Sequence, residues 1–178
     1  MTDPKPNLIL IGLRASGKST LGKMLSESLT LPFVDLDNVS STLLDCDGAG
    51  AAIKKHGIEA FRDAETKALR ATLDSSSQVI ALGGGTPTAP GCAEMLKQSS
   101  SRVIYLRALP DTLRQRLSID DNTDRPPLVG DDVIDEVQSL FDARDELYCD
   151  IAESVIHIDG VSQSSVLAAL IAILNAGA

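Results

Sequence analysis

The chain has 178 residues and a formal net charge of −9, with 43% hydrophobic residues, 3% aromatic residues and no Trp. That length suits one domain with an aliphatic core, and the acidic balance argues against nucleic acid as a partner while leaving a small anionic substrate open to local arginines. Cys46, Cys92 and Cys149 lie far apart without a C-x-x-C pair, so neither a zinc site nor a disulfide framework is indicated, and a reducing cytoplasm is the expected home.

Met1 to Asn7 is short and polar with two prolines, which is neither a signal peptide nor an Arg-rich transit peptide. Leu8–Ile11 reads as a strand buried on both faces. Directly after it, Gly12 to Ser19 spells GLRASGKS, the phosphate-loop pattern G-x-x-x-x-G-K-[ST], and a helix-like segment, Thr20 to Leu29, follows. Such a loop turns backbone N–H groups around phosphate oxygens, and the helix dipole adds positive potential. Gly12, Arg14, Ala15, Ser16, Gly17, Lys18, Ser19 and Thr20 are therefore the nucleoside triphosphate-binding candidates. Lys18 reaches the β- and γ-phosphates, and the Ser19 hydroxyl can ligate Mg²⁺.

The second strand, Phe33–Asp35, leads into Leu36 and Asp37. Alternation along an extended strand would turn both aspartates to one side. One can then organise Mg²⁺ through water and the other accept a hydroxyl proton; alternatively, a strand-end carboxylate simply caps the next helix. Phe61-Arg62-Asp63-Ala64-Glu65 lies on a predicted helix with an Ala60, Ala64, Ala68, Leu69 stripe. There Arg62 either grips a substrate carboxylate or rests in local ion pairs. A third strand, Gln78–Leu82, runs into Gly83-Gly84-Gly85, which reads as backbone N–H groups opened to a ligand or as a flexible turn.

Val103–Leu106 is the fourth strand, and Leu113 and Leu117 mark the helix after it. Ile119 to Asp132 breaks the pattern; it is polar, holds five aspartates and Arg125-Pro126-Pro127, and reads as a mobile loop. Closure of that loop would bring Arg125 onto a transferring phosphoryl group. Arg116 can stack on adenine and Arg144 can serve as a second carboxylate clamp, or these two and Arg125 are simply solvated. Val133, Val137 and Leu140 mark another helix, and Val155–Ile158 a fifth buried strand. The last helix starts after Gly160 with Ser162 as N-cap and buries Val166, Leu167, Leu170 and Leu174; its apolar run is too short to span a bilayer. Five strands alternating with helices imply a parallel three-layer α/β/α sheet.

Taken together, GLRASGKST, FVDLD, FRDAE at 61–65, GGG at 83–85, DRPPL at 124–128 and ARDELY at 143–148 resemble the shikimate kinase family in order and spacing. The resemblance implies a P-loop NTPase fold with strand order 2-3-1-4-5, in a single domain with a shikimate-binding region over about 37–74 and a lid over about 119–132. It implies transfer of the ATP γ-phosphate, with Mg²⁺, to the 3-hydroxyl of shikimate, on the route to chorismate and the aromatic amino acids. It implies roles for Lys18, Asp37 and Arg125 in catalysis and for Arg116 and Arg125 beside ATP. Asp37, Arg62, Gly83, Gly84, Gly85 and Arg144 would hold shikimate, and Ser19 and Asp35 the metal, Asp35 through water. The expected enzyme is a cytoplasmic monomer without nucleic-acid or membrane partners. Pro127 departs from the leucine usual after the lid's Arg-Pro pair, and the lid is acidic at Asp120, Asp121 and Asp124.

Overall fold

Leu8, Ile9, Leu10 and Ile11 have apolar side chains on both faces of the strand, so the segment is stable only between two layers. In a computed structural model, which describes residues 6–119, 134 and 136–176, it forms β1 (Leu8–Ile11) in the middle of a five-stranded sheet. Ile9, Leu10 and Ile11 are fully excluded from solvent. At about 1.5–3 kcal/mol per buried aliphatic side chain, this strand anchors the core.

The elements that follow are α1 (Lys18–Leu29), β2 (Phe33–Asp35), α2 (Leu36–Thr42), α3 (Ala49–His56) and α4 (Ile58–Leu73). Next come β3 (Val79–Ala81), a 3-10 turn (Thr86–Thr88), α5 (Cys92–Gln98), β4 (Arg102–Arg107) and α6 (Pro110–Ile119). The last are α7 (Val137–Ile151), β5 (Ser154–His157) and α8 (Gln163–Ala176). The sheet order is β2-β3-β1-β4-β5 with every pairing parallel, as the resemblance implies, and helices cover both faces. Ser162 accepts from the backbone N–H of Ser165 at 3.2 Å and so caps α8 as expected. Most of the lid segment, Arg125 and Val133 lie outside the described residues.

Three expectations need correction. β5 is not buried on both faces: Val155 and His157 are exposed, because β5 is an edge strand. β2, the other edge, is only half-buried. The α4 stripe is Phe61, Ala64, Glu65, Ala68 and Leu69, with Ala60 only half-buried, so a carboxylate sits on the inward face. On α8, Leu167 and Leu174 are likewise half-buried, and Val166 and Leu170 make the core contact.

Parallel strands collect chemistry at their C-terminal ends. β1 ends in the phosphate loop, β2 in Asp35 and Asp37, and β3 in the triple glycine. A small apolar cluster of Ala49, Ala52 and Phe61 joins α3 to α4 apart from the main core and walls one side of that end.

Candidate active site

The phosphate loop is held by its own backbone. Gly17 has φ 89°, in the left-handed region, and begins α1 at Lys18, two residues before the expected start. Its carbonyl accepts from Leu21 N–H at 2.9 Å, and Ser16 N–H donates to Leu13 O at 3.2 Å. Lys18 is buried, and its ammonium donates to Leu13 O at 2.9 Å and to Ser16 Oγ at 3.4 Å. Arg116 Nη1 crosses from α6 to Ala15 O at 3.2 Å. The cleft over this loop is lined by Arg14 to Leu21, by Arg116 and Ile119, and by Ile158, Val161, Gln163 and Val166. The last four, from the end of β5 and the start of α8, went unseen in the sequence, since nothing marks a nucleotide wall in a short apolar segment.

Asp35 takes the capping reading and also meets Ser19. Its Oδ1 accepts from Asp37 N–H at 3.2 Å and caps α2, while its Oδ2 accepts from Ser19 Oγ at 2.7 Å. Asp37, however, is not on a strand. The strand stops at Asp35, and Asp37 lies in the first turn of α2, so strand alternation is not what aims it. It is 7% exposed.

A second cleft lies beside the first. Its polar groups are Arg14, Asp37, Arg62, Glu65, Glu136 and Arg144, and Leu13, Phe61, Leu113, Leu117 and Leu140 are among its apolar walls. Arg14, Asp37 and Gly84 line both clefts. The two spaces therefore meet at one carboxylate, one guanidinium and one peptide.

Arg62 is not loosely solvated: it forms a salt bridge with Glu65, one turn on along α4, and Glu65 is 1% exposed. Burial pushes the Glu65 carboxyl above the usual carboxylate range, and Arg62 and a bond from Thr86 pull it part of the way back. Arg144 Nη1 donates to Gly84 O at 2.9 Å, and Tyr148 OH donates to the same oxygen at 2.6 Å. Burial pushes the Tyr148 phenol up to about 12, so at neutral pH it is a neutral donor. Tyr148 is also edge-on to Tyr105, with ring centroids 5.5 Å apart.

The triple glycine also does something the sequence does not show: its carbonyls accept from Arg144, Tyr148, Thr86 and Thr88, and its missing side chains leave space for neighbouring ones. A Cβ on Gly83 would stand 2.3 Å from Asp37 Oδ1, and one on Gly85 would stand 2.2 Å from Arg62 Nη2. Gly84 and Gly85 line the second cleft, while Gly83 packs behind it. Glu65, Thr86 and Tyr148 hold groups of this cleft, and the sequence does not single them out. The available signal was Glu65 itself, a carboxylate on an apolar helix face three residues after an arginine.

The shikimate kinase family model matches residues 14–175. The chain belongs to the shikimate kinase family. A shikimate kinase from Cupriavidus pinatubonensis is 37% identical over 157 residues, covering 88% of this chain and 79% of that protein. One from Rhodopirellula baltica is 40% identical over 144 residues, covering 80% and 76%. Among solved structures, shikimate kinase from Acinetobacter baumannii, in complex with shikimate, superposes with a TM-score of 0.88 at 26% identity over 97% of this chain and 94% of that one. Membership makes the chain a kinase that uses ATP. No helix among the described residues is long and apolar enough to cross a membrane.

Proposed function

We propose that this chain transfers the γ-phosphoryl group of ATP to the 3-hydroxyl of shikimate. The observation that carries the reading is the junction at Asp37, where the nucleotide cleft opens into a cleft lined by Arg62 and Arg144. Phosphoryl transfer asks chiefly for positioning and for neutralising spread negative charge. In this reading Lys18 exchanges its loop carbonyl for phosphate oxygens. Arg62 and Arg144 hold the acceptor carboxylate, since a planar guanidinium pairs with it in two places. Asp37 then faces the acceptor hydroxyl, orients it and takes its proton. The shikimate-binding region is the α2–α4 unit, about residues 37–74, and Arg125 covers the transferring group.

Mg²⁺ fits the residues present. Ser19 Oγ and Asp35 form an oxygen-only pair at the start of α1, and Mg²⁺ favours one or two protein oxygens with the rest water and phosphate. When bound, Mg²⁺ neutralises charge on the β- and γ-phosphates. Ser19 would touch it directly and Asp35 through water. Cys46, Cys92 and Cys149 are free thiols, in keeping with a reducing cytoplasm.

A coupled assay of ADP release tests the function. Release rises steeply with shikimate and stays near background with gluconate or nucleoside monophosphates. Equal stimulation by gluconate would sink the assignment.

A further inference from the structure

We propose that Thr86 is a positioning residue for the acceptor clamp: its hydroxyl fixes the Glu65 carboxylate that in turn holds Arg62 in place. This rests on the reading of Arg62 as a carboxylate clamp. Thr86 opens the 3-10 turn that follows the triple glycine and is fully buried. Its Oγ1 donates to Glu65 Oε1 at 2.5 Å, while Glu65 Oε2 takes Arg62 Nη1. The two carboxylate oxygens thus divide their work, one tied to the turn and one to the clamp. The room for this is made by Gly83, where a Cβ would stand 2.7 Å from Glu65 Oε1 and 2.8 Å from Thr86 Oγ1.

The backbone of the turn is held without the hydroxyl. Thr86 N–H donates to Gly83 O at 3.1 Å, and Ala89 N–H donates to Thr86 O at 3.0 Å. Thr86→Val therefore keeps the shape and removes only the donor. A buried carboxylate that loses a donor loses support for its charged form. The other groups facing Glu65 are Arg62 on its own helix, Asp37 from α2, Cys92 from α5, and Tyr148 from α7 with Arg144 beside it. Asp37 is an acid, and Cys92 and Tyr148 are neutral near pH 7, burial raising both. Arg62 and Thr86 are the two side chains that bond the carboxylate and favour its charge. Without Thr86, Glu65 takes up a proton at a higher pH than before and loosens its hold on Arg62.

The test compares wild type, Thr86→Val and Thr86→Ser by steady-state kinetics across pH and by calorimetric titration of shikimate and of a non-hydrolysable ATP analogue. Thr86→Val is expected to raise the KM and Kd for shikimate about tenfold, leave the ATP analogue within about twofold, and move the acid limb of kcat/KM for shikimate to higher pH. Thr86→Ser restores all three. Unchanged shikimate affinity, an equal loss for the ATP analogue, or an unmoved acid limb overturns the proposal. Should Thr86→Val fail to fold, Glu65→Gln decides: weaker shikimate binding with a flattened acid limb supports the relay, and wild-type behaviour overturns it. Wild type that leaves shikimate unphosphorylated would instead reject the functional reading beneath it.

Discussion

The two clefts meet at Asp37 but are built on opposite plans. The nucleotide side is largely one continuous segment, Gly12 to Leu21, shaped mainly by local bonds, Lys18 to Leu13 O, Ser16 to Leu13 O and Leu21 to Gly17 O, with Arg116 reaching Ala15 O and Asp35 meeting Ser19 from outside it. The acceptor side is assembled from α2, α4, α7 and the loop after β3, and its side chains are held by other side chains or by distant carbonyls. Arg62 leans on Glu65, Glu65 on Thr86, and Arg144 and Tyr148 converge on Gly84 O. A backbone cradle recognises any triphosphate, whereas an assembled cleft can be tuned to one acceptor, so specificity belongs to the second.

If the two sides are separate in this way, damage to each should read out differently. The largest effect is expected at Lys18→Met, which removes the charge and keeps the length. Loss of one positioned electrostatic group costs about 3 kcal/mol or more in transition-state stabilisation, so turnover should fall more than about a hundredfold while circular dichroism is unchanged. Near-normal turnover would make the loop structural only.

A smaller effect, confined to the acceptor side, follows from Gly85→Ala. The new methyl would meet the Arg62 guanidinium 2.2 Å away and displace it. Steady-state kinetics should show the KM for shikimate rising about tenfold, or about 1.4 kcal/mol, with the KM for ATP unchanged. A matching rise for ATP would blur the distinction between the clefts.

The smallest effect lies outside both. Asp145 accepts from Arg107 Nε and Nη2 at 2.8 Å each and from Tyr105 OH at 2.9 Å, tying α7 to β4. With about a fifth of each ion-pair partner exposed, Asp145→Asn should cost about 1 kcal/mol of stability and leave turnover intact. The hydrogen bonds from Arg107 hold the Asp145 carboxyl below its ordinary value. Its stabilising contribution is therefore full above the unfolded pKa of about 3.9 and is lost as pH falls through the lower folded value. Thermal melts of wild type and variant should accordingly converge below about pH 4. A constant difference across that range would show that packing, rather than charge, accounts for the loss.

The same contrast explains what the sequence disclosed. GLRASGKS is contiguous, so its spacing alone predicts a strand, a loop and a helix, and the structure has them. The apolar runs of β1, β3 and β4 are buried on both faces and read plainly. β5 has a similar composition, and only its place at the sheet edge exposes Val155 and His157. The acceptor side is non-local. FRDAE showed Arg62 but not that Glu65 turns inward to hold it, because the hydrogen-bond partner that meets Glu65 there, Thr86, comes from a turn 21 residues later. GGG showed that space was needed, not that side chains rather than a ligand fill part of it. Asp37 was found for the wrong geometric reason, since the strand ends two residues before it.

The central claim is that acceptor recognition rests on Arg62 geometry and is separable from nucleotide binding. Calorimetric titration of Arg62→Lys tests it most directly, because the chain has no Trp to report binding by fluorescence. Lysine keeps the positive charge and loses the planar fork. Shikimate should bind about 1.5–3 kcal/mol more weakly, and the ATP analogue as in wild type. Unchanged shikimate affinity, or an equal loss for both ligands, would contradict the account.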